Sequence, residues 1–471
     1  MPKTTPEKLY QIIANKIKDA IKNKQFRLSD QLPSLRRMSQ IYQASVGTIL
    51  NAYLQLEKEK FIQSKPQSGF YVCYQSKLIK AQDDQSLMPV EVEISDLVAM
   101  IMKTAQGQNF VNLGASSIPE NLFPLATLNK ISRQLIKDNL KHSSSYLYPP
   151  GLAELRIQIA KNCSHFGKVV KPEEIVITSG TIDAVNLCLR SVAEPGDTII
   201  VESPSYYGIL QLIEYYKMKA IEIPGHPITG IDLDILSKIL KKQEAKACII
   251  TANFNNPTGS LMPENNKKLL VEMMAHYGVP IIEDDVFGSL HFLDSPPKPL
   301  FAYDQGGIVQ YCSSFSKTLS PGLRVGWAIS GKHQACVEKL KYMTSMATSS
   351  FPQHLVAQYL QNGGYERHLR KLRKAIQNNM EQMIHALHSY FPSGTEITFP
   401  KGGGLLWVKL PNAVDMDLLT QQAIKHKISI VPGKLFSTTS NFKNYLRLTA
   451  WINFDSRVEN SIKTLGCLMK I

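Results

Sequence analysis

The segment that decides the fold is SSFSKTLSPGLR, residues 313–324, which directly follows the strand-like run IVQYC, residues 308–312. A lysine at such a strand end can form a Schiff base, because a neutral amine attacks a carbonyl carbon. The hydroxyls beside Lys317 and the guanidinium of Arg324 could together hold a phosphate dianion. Taken alone, the pattern is weak and favours an ordinary surface lysine, so the neighbouring segments have to decide.

Other strand-like runs lie before and after this segment and alternate with helical stretches. They are EIVIT (174–178), TIIVE (198–202), AIEI (220–223), ACIIT (247–251), PIIE (280–283), IVQYC (308–312) and WAIS (327–330). Such alternation predicts an α/β sheet covered on both faces, with its ligand site at the carboxyl ends of the strands. Three glycines at 402–404 and the following run LLWVKL predict a second, smaller α+β domain.

Further strand ends carry groups that suit a phosphorylated pyridine aldehyde. Asp284 could pair with the pyridine nitrogen and keep it protonated. Asn256 could donate to the ring hydroxyl oxygen, and Tyr206 could stack on the ring. Gly180 and Thr181 open a helix whose N-terminus can seat an anion. Considered singly, these residues fit a strand cap, an ordinary turn or a core tyrosine, but their convergence from four strand ends predicts a cofactor site.

Residues from about 110 to 471 resemble the fold-type I aminotransferases, through these motifs in their order and spacing. The resemblance implies a large α/β domain and a smaller α+β domain around pyridoxal 5′-phosphate. It implies that Lys317 forms the Schiff base and Asp284 pairs with the pyridine nitrogen, as the two catalytic residues. It also implies that Asn256 bonds the 3-hydroxyl and Tyr206 stacks on the ring. The phosphate is assigned to Gly180, Thr181, Ser314, Ser316 and Arg324.

The same resemblance implies a homodimer and a clamp for the substrate. Tyr146, five residues before Gly151, matches the tyrosine that such dimers lend to the phosphate of the partner's cofactor. Arg447 matches the arginine that binds the substrate α-carboxylate through a bidentate fork. One position departs from the family, which commonly has tyrosine where this chain has Phe287. Loss of that hydroxyl should raise the pKa of the Schiff base and slow transamination.

The first 74 residues predict a small DNA-binding domain. Residues 6–22 place their apolar side chains on one helical stripe, and a second helix follows with Ser34 as its N-cap. A third helix begins at Ser45. Two short helices joined by a tight turn are typical of a helix-turn-helix, and the alternating runs around residues 65–69 predict a β-hairpin wing.

This segment resembles the GntR-type winged helix, through LPSLR at 32–36, polar residues at the start of the third helix and SGFYV at 68–72. Two positions that are often arginine in that family are Val46 and Leu50 here. Residues 1–80 hold 14 Lys and Arg against five Asp and Glu, which suits contact with a phosphate backbone. A solvated helix face is the alternative for the arginines. The implied DNA contacts are Arg36, Arg37, Ser45, Thr48, Lys65 and Gly69.

The domain plan that follows has a head, a linker and a body. It comprises a winged helix-turn-helix domain (1–74), a linker (75–95) and an aminotransferase-like domain (96–471), itself divided into a large part (about 145–345) and a small part (96–144 and 346–471). No run of about 18 apolar residues suggests a membrane span. Seven cysteines without a C-x-x-C pair predict a cytoplasmic protein and offer no metal-binding spacing.

A GntR-type head joined to an aminotransferase-like body is the arrangement of MocR regulators. The resemblance therefore implies a homodimer that binds double-stranded DNA and senses pyridoxal phosphate or an amino acid through Schiff-base chemistry at Lys317. The alternative is an active aminotransferase that interconverts an α-amino acid and a keto acid and carries a DNA-binding head. A third hypothesis, an inert scaffold for the cofactor, is disfavoured because a dead pocket has no need of Arg447.

Overall fold

The chain divides into two units in the computed structural model, Met1–Lys77 and Leu78–Ile471. Each unit has a hydrophobic core of its own. The boundary falls within the predicted linker, of which residues 75–87 lie outside the described residues. The structure describes residues 8–22, 26, 30–59, 61–65, 69–72, 88–105, 110–115, 119–143, 145–242 and 245–469.

The first unit is built from helices and a β-hairpin whose apolar side chains meet in one core. Its elements are α1 (Leu9–Lys22), α2 (Leu35–Tyr42), α3 (Val46–Lys58), β1 (Ile62–Lys65) and β2 (Gly69–Val72). Ile13 and Ile17 of α1 meet Ile49, Tyr53 and Leu56 of α3 in this core. Each fully buried Leu or Ile contributes about 1.5 to 3 kcal/mol, so this contact holds the helices together. The predicted winged helix-turn-helix is confirmed.

Both helices of the helix-turn-helix begin at a serine cap. Ser34 Oγ accepts the amide of Arg37 at 3.3 Å, and Ser45 Oγ accepts the amide of Thr48 at 3.1 Å. A capping hydroxyl satisfies an amide that has no partner within the helix and typically contributes about 1 kcal/mol. Gln43 ends α2 in the left-handed conformation, with φ 48°. The predicted capping role of Ser34 is confirmed.

The wing hairpin is tied to the segment that precedes α2. β1 and β2 pair antiparallel, and residues 66–68 of the turn lie outside the described residues. The Leu32 amide donates to the Phe70 carbonyl at 2.8 Å. The Tyr53 hydroxyl donates to the Pro33 carbonyl at 2.8 Å, and its ring packs edge-on against Phe70 at 5.0 Å. The hairpin position is therefore fixed by hydrogen bonds as well as by apolar packing.

The second unit alternates strands and helices over most of its length. Its strands are β3 (Val90–Glu91), β4 (Val111–Asn112), β5 (Val176–Thr178), β6 (Thr198–Ser203), β7 (Lys219–His226), β8 (Gly230–Ile231), β9 (Ala247–Ile250), β10 (Ile281–Asp284), β11 (Val309–Ser314), β12 (Gly326–Ile329), β13 (Glu396–Ile397), β14 (Leu405–Lys409), β15 (Ile428–Ser429), β16 (Val431–Pro432) and β17 (Tyr445–Thr449). Its α-helices are α4 (Ser95–Ala105), α5 (Leu125–Ser143), α6 (Ala153–Cys163), α7 (Thr181–Arg190), α8 (Tyr207–Tyr215), α9 (Leu233–Lys242), α10 (Glu264–Tyr277), α11 (Gln334–Ser345), α12 (Ser350–Gln361), α13 (Tyr365–Tyr390), α14 (Met416–Lys425) and α15 (Ser456–Leu468). None of the described helices combines the length and apolar character that a bilayer crossing requires.

The central sheet has the strand order β3-β7-β6-β9-β10-β11-β12-β5, with β8 beside β7. Strands β7, β6, β9, β10 and β11 run parallel, whereas β12 is antiparallel to both β11 and β5. Strands β9, β10 and β11 are buried along their whole length, because helices cover both faces of such a sheet. Every strand predicted from the sequence between residues 174 and 330 lies in this sheet, so the α/β prediction is confirmed.

The carboxyl ends of the strands point to one edge of this sheet and carry the predicted site residues. β10 ends at Asp284, and β11 ends at Ser314. The segments after β5, β6 and β9 carry Gly180, Tyr206 and Asn256. Parallel strands place their carboxyl ends side by side, so the topology alone gathers these residues.

A smaller sheet near the C-terminus completes the second unit. Its strand order is β13-β14-β17-β16. Arg447 lies on β17, where it is paired with Trp407 of β14 and Val431 of β16. A separate pairing of β15 with β4 brings Val111 beside Ile428. The predicted smaller α+β domain is confirmed, with Arg447 on a central strand of its sheet.

Two segments that precede β4 contact elements of the central sheet. β3, which lies within the predicted linker (75–95), pairs antiparallel with β7. Val98 and Ile101 of α4, a helix predicted to belong to the small domain, lie in a core that contains residues of both the central and the smaller sheet. Glu214 of α8 accepts the amide and the hydroxyl of Ser95, both at 2.9 Å. A two-residue strand has no periodicity that could have revealed it.

Candidate functional site

Lys317 lies in a tight turn after β11, and Phe315, two residues earlier, anchors this turn. The Phe315 ring is buried beside Trp327, with 4.9 Å between the ring centroids. The Phe315 amide donates to the Val325 carbonyl at 3.0 Å, and its carbonyl accepts the Leu319 amide at 2.8 Å. A buried aromatic anchor with a hydrogen-bonded backbone fixes where the lysine stands.

Lys317 and Asp284 form the electrostatic centre of the site. Burial, with smaller contributions from Arg447 and Arg324, lowers the pKa of Lys317 to about 8 against the opposing charge of Asp284. Burial likewise raises the pKa of Asp284 to about 7, opposed by Lys317 and by a hydrogen bond from the Val286 amide at 3.2 Å. A lysine with such a lowered pKa is a nucleophile at mildly alkaline pH, and perturbed groups of this kind cluster at functional sites.

Arg447 reaches from the small domain to groups on two other segments. Its Nη1 donates to Asn256 Oδ1 at 2.8 Å, and its Nη2 donates to the Gly114 carbonyl at 2.6 Å. Because the Asn256 oxygen is engaged in this way, the amide nitrogen of Asn256 is the group left to donate to a ligand. The first of these bonds therefore orients Asn256 as the sequence prediction requires.

The charge of Arg447 has no acidic partner among the residues that the structure describes. The side chain is only 2% exposed, and its Nε has no hydrogen-bond partner there. The rings of Phe436 and Tyr207 lie 5.2 and 5.9 Å from its guanidinium carbon. A buried cation is costly unless an anion compensates it, so the geometry fits a carboxylate ligand.

The predicted phosphate donors lie together at the N-terminus of α7. Thr181 Oγ1 donates to Ser314 Oγ at 2.8 Å, and Ser314 Oγ also accepts the Ser316 amide at 3.3 Å. Arg324 donates from Nη2 to the Ser179 carbonyl. A helix N-terminus adds amides without helical partners and the positive end of its dipole. Hydroxyls, amides and a guanidinium thus surround one position.

The predicted phosphate donors at the start of α7 form a cradle, and this cradle has no room for a side chain at Gly180. Its φ is +109°, and a Cβ built there would lie 2.7 Å from Arg324 Nη2. The Arg324 guanidinium therefore sits directly against the backbone at the start of α7. Only glycine combines this conformation with so close an approach, which explains the residue at this position.

Two adjacent tyrosines line the site at the start of α8. The Tyr206 ring lies over Gly208, where an added Cβ would come within 2.6 Å of its Cε1, and 4.6 Å from the Tyr207 ring. Burial raises the pKa of Tyr206, with a further contribution from Tyr207, so its phenol stays protonated. Arg447 and Asp284 also act on that pKa, which places Tyr206 in the same group of residues.

Phe287 and Tyr146, the two remaining residues of the sequence prediction, make no hydrogen bond to the phosphate donors among the described residues. Phe287 is 1% exposed and faces Trp451, with 6.4 Å between ring centroids. Tyr146 is 68% exposed and stacks on Tyr148 at 5.8 Å. The contribution of Tyr146 to a partner's site in a homodimer stays a prediction.

The donor set fits a phosphorylated pyridine aldehyde. It offers an amine for the aldehyde at Lys317, a carboxylate for the ring nitrogen at Asp284 and an amide for the ring hydroxyl at Asn256. The glycine cradle at the start of α7 suits a phosphate, and the orphaned Nε of Arg447 suits a carboxylate.

The predicted DNA contacts of the first unit lie on α2, on α3 and in the hairpin. Arg36 and Arg37 are exposed on α2, and the first turns of α2 and α3 contain no acidic residue. The hydroxyls of Ser45 and Thr48 bond one another at 2.8 Å. Gly69 opens β2 with φ +103°, while the Lys65 side chain lies outside what the structure describes.

Comparisons with known proteins match both units. The description "Bacterial regulatory proteins, gntR family" matches residues 9–72, and "Aminotransferase class I and II" matches residues 109–456. The Uncharacterized HTH-type transcriptional regulator YdcR of Escherichia coli (strain K12) is 37% identical over 98% of this chain and 99% of its own length. The chain belongs to the MocR-type regulators of the GntR family.

Solved structures similar to the body of this MocR-type chain include aminotransferases. Pyrococcus horikoshii kynurenine aminotransferase, solved in complex with PMP, is 28% identical with a TM-score of 0.75 over 81% of this chain and 95% of its own. LysN, an α-aminoadipate aminotransferase from Thermus thermophilus, was solved with N-(5′-phosphopyridoxyl)-L-leucine. It is 27% identical with a TM-score of 0.72 over 80% of this chain and 98% of its own.

Three contributors to the site of the MocR-type chain were missed by the sequence argument. Tyr207 and Phe436 flank the Arg447 guanidinium, and the Gly114 carbonyl accepts its hydrogen bond. The pair Tyr206-Tyr207 at a strand end was a signal that could have included the second tyrosine. No local pattern marks Gly114 or Phe436, because tertiary packing alone brings them to Arg447.

Proposed function

We propose that this chain is a transcription regulator that binds double-stranded DNA through its first unit and responds to a small molecule bound in its second. The cofactor is pyridoxal 5′-phosphate, and the effector is the cofactor itself or an amino or keto acid. The observation that carries the proposal is that one chain combines a GntR-type DNA-binding unit with a buried arginine near Lys317. This arginine, Arg447, has no acidic partner among the described residues. A site built only to hold the cofactor would not need this clamp.

The cofactor is held by groups that approach it from several strand ends. When bound, pyridoxal phosphate supplies an aldehyde and an electron-withdrawing ring. Lys317 would offer its amine to the aldehyde, Asp284 would keep a proton on the ring nitrogen, and Asn256 would donate to the ring oxygen. Tyr206 would stack on the ring. Gly180, Thr181, Ser314, Ser316 and Arg324 would hold the phosphate, and Tyr146 of a partner subunit would add a hydroxyl.

The effector carboxylate binds to Arg447. Its Nη1 is held by Asn256 and its Nη2 by the Gly114 carbonyl, so the guanidinium has a fixed orientation. The rings of Phe436 and Tyr207 keep water from its faces, which strengthens its attraction for an anion. With cofactor and amino acid bound, Lys317 Nζ would be able to hold or release a proton near neutral pH, because its pKa is about 8.

The first unit binds operator DNA as part of a homodimer in the cytoplasm. Arg36 and Arg37 supply phosphate contacts, while α3 enters the major groove at its N-terminal end. Ser45 and Thr48 lie at that end, and Lys65 and Gly69 bring the wing towards the minor groove. Two heads in a dimer read two half-sites, so a change in their separation changes operator affinity.

Regulation requires the effector to favour one dimer arrangement over another. A coupling free energy of about 1 to 3 kcal/mol changes operator affinity by roughly 5- to 150-fold. Binding at Lys317 and Arg447 has this capacity, because the two residues lie on different domains of the second unit and an effector would bridge them.

The second candidate function is an active aminotransferase with an appended head. The observation in its favour is that Lys317, Asp284, Asn256 and Arg447 make up a full set of groups for that reaction, and structural relatives at 27 to 28% identity are aminotransferases. Phe287 is the departure from this set. The two functions are compatible with one another.

One experiment separates these candidates. The purified full chain, loaded with pyridoxal phosphate, is mixed with each of the common amino acids. Absorbance of the bound cofactor, release of keto acid and binding to DNA from upstream of its own gene are followed together. A spectral change that stops without keto-acid release, with altered DNA binding, supports the regulator. Steady keto-acid release with DNA binding unchanged would favour the enzyme and contradict the regulator.

A further inference from the structure

Helix α3 carries an exposed apolar stripe on the face that its core residues leave free. Val46, Leu50 and Leu54 are 45%, 37% and 48% exposed. They recur every four residues, so they lie on one side of the helix at intervals of about 6 Å. Ile49 and Tyr53 alternate with them in sequence and are fully buried in the core. The core therefore uses Ile49 and Tyr53 and leaves the stripe of Val46, Leu50 and Leu54 in solvent.

The part of the sequence that carries this stripe is basic in composition. Residues 1–80 hold 14 Lys and Arg against five Asp and Glu, and Arg36 and Arg37 are exposed on α2. In a helix-turn-helix the N-terminal residues of the second helix contact base edges in the major groove. Val46 and Leu50 occupy this end of α3, whereas Leu54 lies two turns from Val46, about 12 Å along the axis.

The polar side chains at the same end of α3 are already engaged within the helix. Ser45 Oγ accepts the Thr48 amide at 3.1 Å and bonds the Thr48 hydroxyl at 2.8 Å. Gly47, between them, has no side chain. Asn51 is also exposed, so Val46 and Leu50 are the apolar side chains that the first two turns of α3 expose.

We propose that Val46 and Leu50 read thymine methyl groups in the major groove of the operator. The inference rests on the proposed function, since it requires the first unit to bind DNA. Thymine alone presents a methyl group there, and apolar side chains are its natural contacts, whereas arginine at the same positions would favour guanine. A separation of about 6 Å along the helix matches roughly two base-pair steps of about 3.4 Å, so the two thymines lie within about three base pairs.

The alternative occupant of this stripe is another protein surface, and the charge argues against it. A stable protein interface buries at least about 1,000 Å² and has few charges at its centre. Here Val46 and Leu50 form a narrow apolar strip in a strongly basic unit. That combination suits a polyanion that carries apolar methyl groups in its groove.

The test removes single methyl groups from DNA. The full chain loaded with pyridoxal phosphate first selects its preferred duplex from a random double-stranded pool. Each thymine of that duplex is then replaced in turn by deoxyuridine, which pairs identically and lacks only the methyl group. We expect about fourfold weaker binding at one or two positions, the effect of one lost apolar contact.

Protein variants assign these positions to side chains in a double-mutant cycle. Val46→Ala should bind more weakly and lose the penalty for deoxyuridine at one position, and Leu50→Ala should lose it at the other. Val46→Thr keeps one methyl group and should keep part of the penalty. Leu54→Ala is the matched control, since it removes equal apolar surface from the same face beyond reach of the groove. It should keep both penalties.

The outcomes separate the inference from the function on which it rests. A selected duplex that binds equally well with thymine or deoxyuridine would overturn the inference and leave DNA binding intact. So would alanine variants that keep every penalty while changing the sedimentation of the protein, because they would assign the stripe to a protein contact. Failure to enrich any duplex would overturn the proposed function and the inference with it.

Discussion

The residues proposed to act in the two units differ in how far they are buried. In the second unit Arg447 is 2% exposed and Asp284 5%, and each is held by hydrogen bonds. In the first unit Val46 is 45% exposed, and Arg36 also lies at the surface. Buried polar groups must find partners as the chain folds, so folding itself sets their geometry. Exposed groups are free to vary without cost to stability, so they carry specificity.

The largest expected effect comes from removing the amine on which the buried site depends. Lys317→Ala should remove the Schiff-base absorption band of bound pyridoxal phosphate and the bond that borohydride fixes, because Lys317 is the amine that the described strand ends bring to Asp284. Binding of the full chain to random-sequence DNA at low salt should persist, since it needs only the basic head. A Schiff-base band that survived the change would show that the buried site of the second unit does not depend on Lys317, and the contrast with the exposed residues of the first unit would fail.

Loss of the Arg447 guanidinium should strongly weaken the affinity for the effector and only slightly weaken the affinity for the cofactor. Arg447→Met removes a cation that makes charge-assisted hydrogen bonds, each worth about 1.5 to 3 kcal/mol, so amino-acid affinity should fall about 100-fold. Spectral titration of the loaded chain with amino acids measures it. Arg190→Met is the matched control, because Arg190 lies over Tyr216 outside the site and should leave both affinities unchanged.

The lowered pKa of Lys317 predicts a pH dependence that an exposed lysine would not show. The neutral amine reacts, and its fraction rises with pH until it levels off above the pKa of about 8. The rate of cofactor attachment to the empty chain should therefore increase about 50-fold from pH 6 to pH 8 and then level off. Stopped-flow absorbance gives the profile. A rate that still rose tenfold per pH unit beyond pH 9 would show an ordinary lysine.

A smaller effect tests whether the units are independent in stability. Tyr53→Phe removes the hydrogen bond to the Pro33 carbonyl, which should cost the first unit about 1 kcal/mol. All three tryptophans, Trp327, Trp407 and Trp451, lie in the second unit. Urea unfolding followed by circular dichroism should therefore shift, while the tryptophan fluorescence transition stays in place. A parallel shift of the fluorescence transition would mean that the units unfold together.

The sequence predicted best those site residues that the sheet topology itself brings together. Gly180, Tyr206, Asn256 and Asp284 each follow a recognisable strand, and parallel strands end at the same edge, so finding the strands was enough to group the residues. The N-cap at Ser34 was predictable for a similar reason, because capping is a local interaction.

The sequence failed where contacts are made only by tertiary packing. Gly114 and Phe436 reach Arg447 from remote segments with no local signature. The pairing of β3 with β7 was not predicted either, because a two-residue strand has no periodicity. The exposure of Val46 and Leu50 likewise depends on which face of α3 the core uses.

The central claim is that one amine, at Lys317, holds the cofactor at the edge where the strand ends meet. The most direct measurement is reduction of the loaded full chain with borohydride, followed by digestion and mass mapping of the phosphopyridoxyl group. The account predicts a single modified peptide that contains residues 313–324, with the mass increase on Lys317. Modification on a different lysine, or spread over several surface lysines, would contradict it.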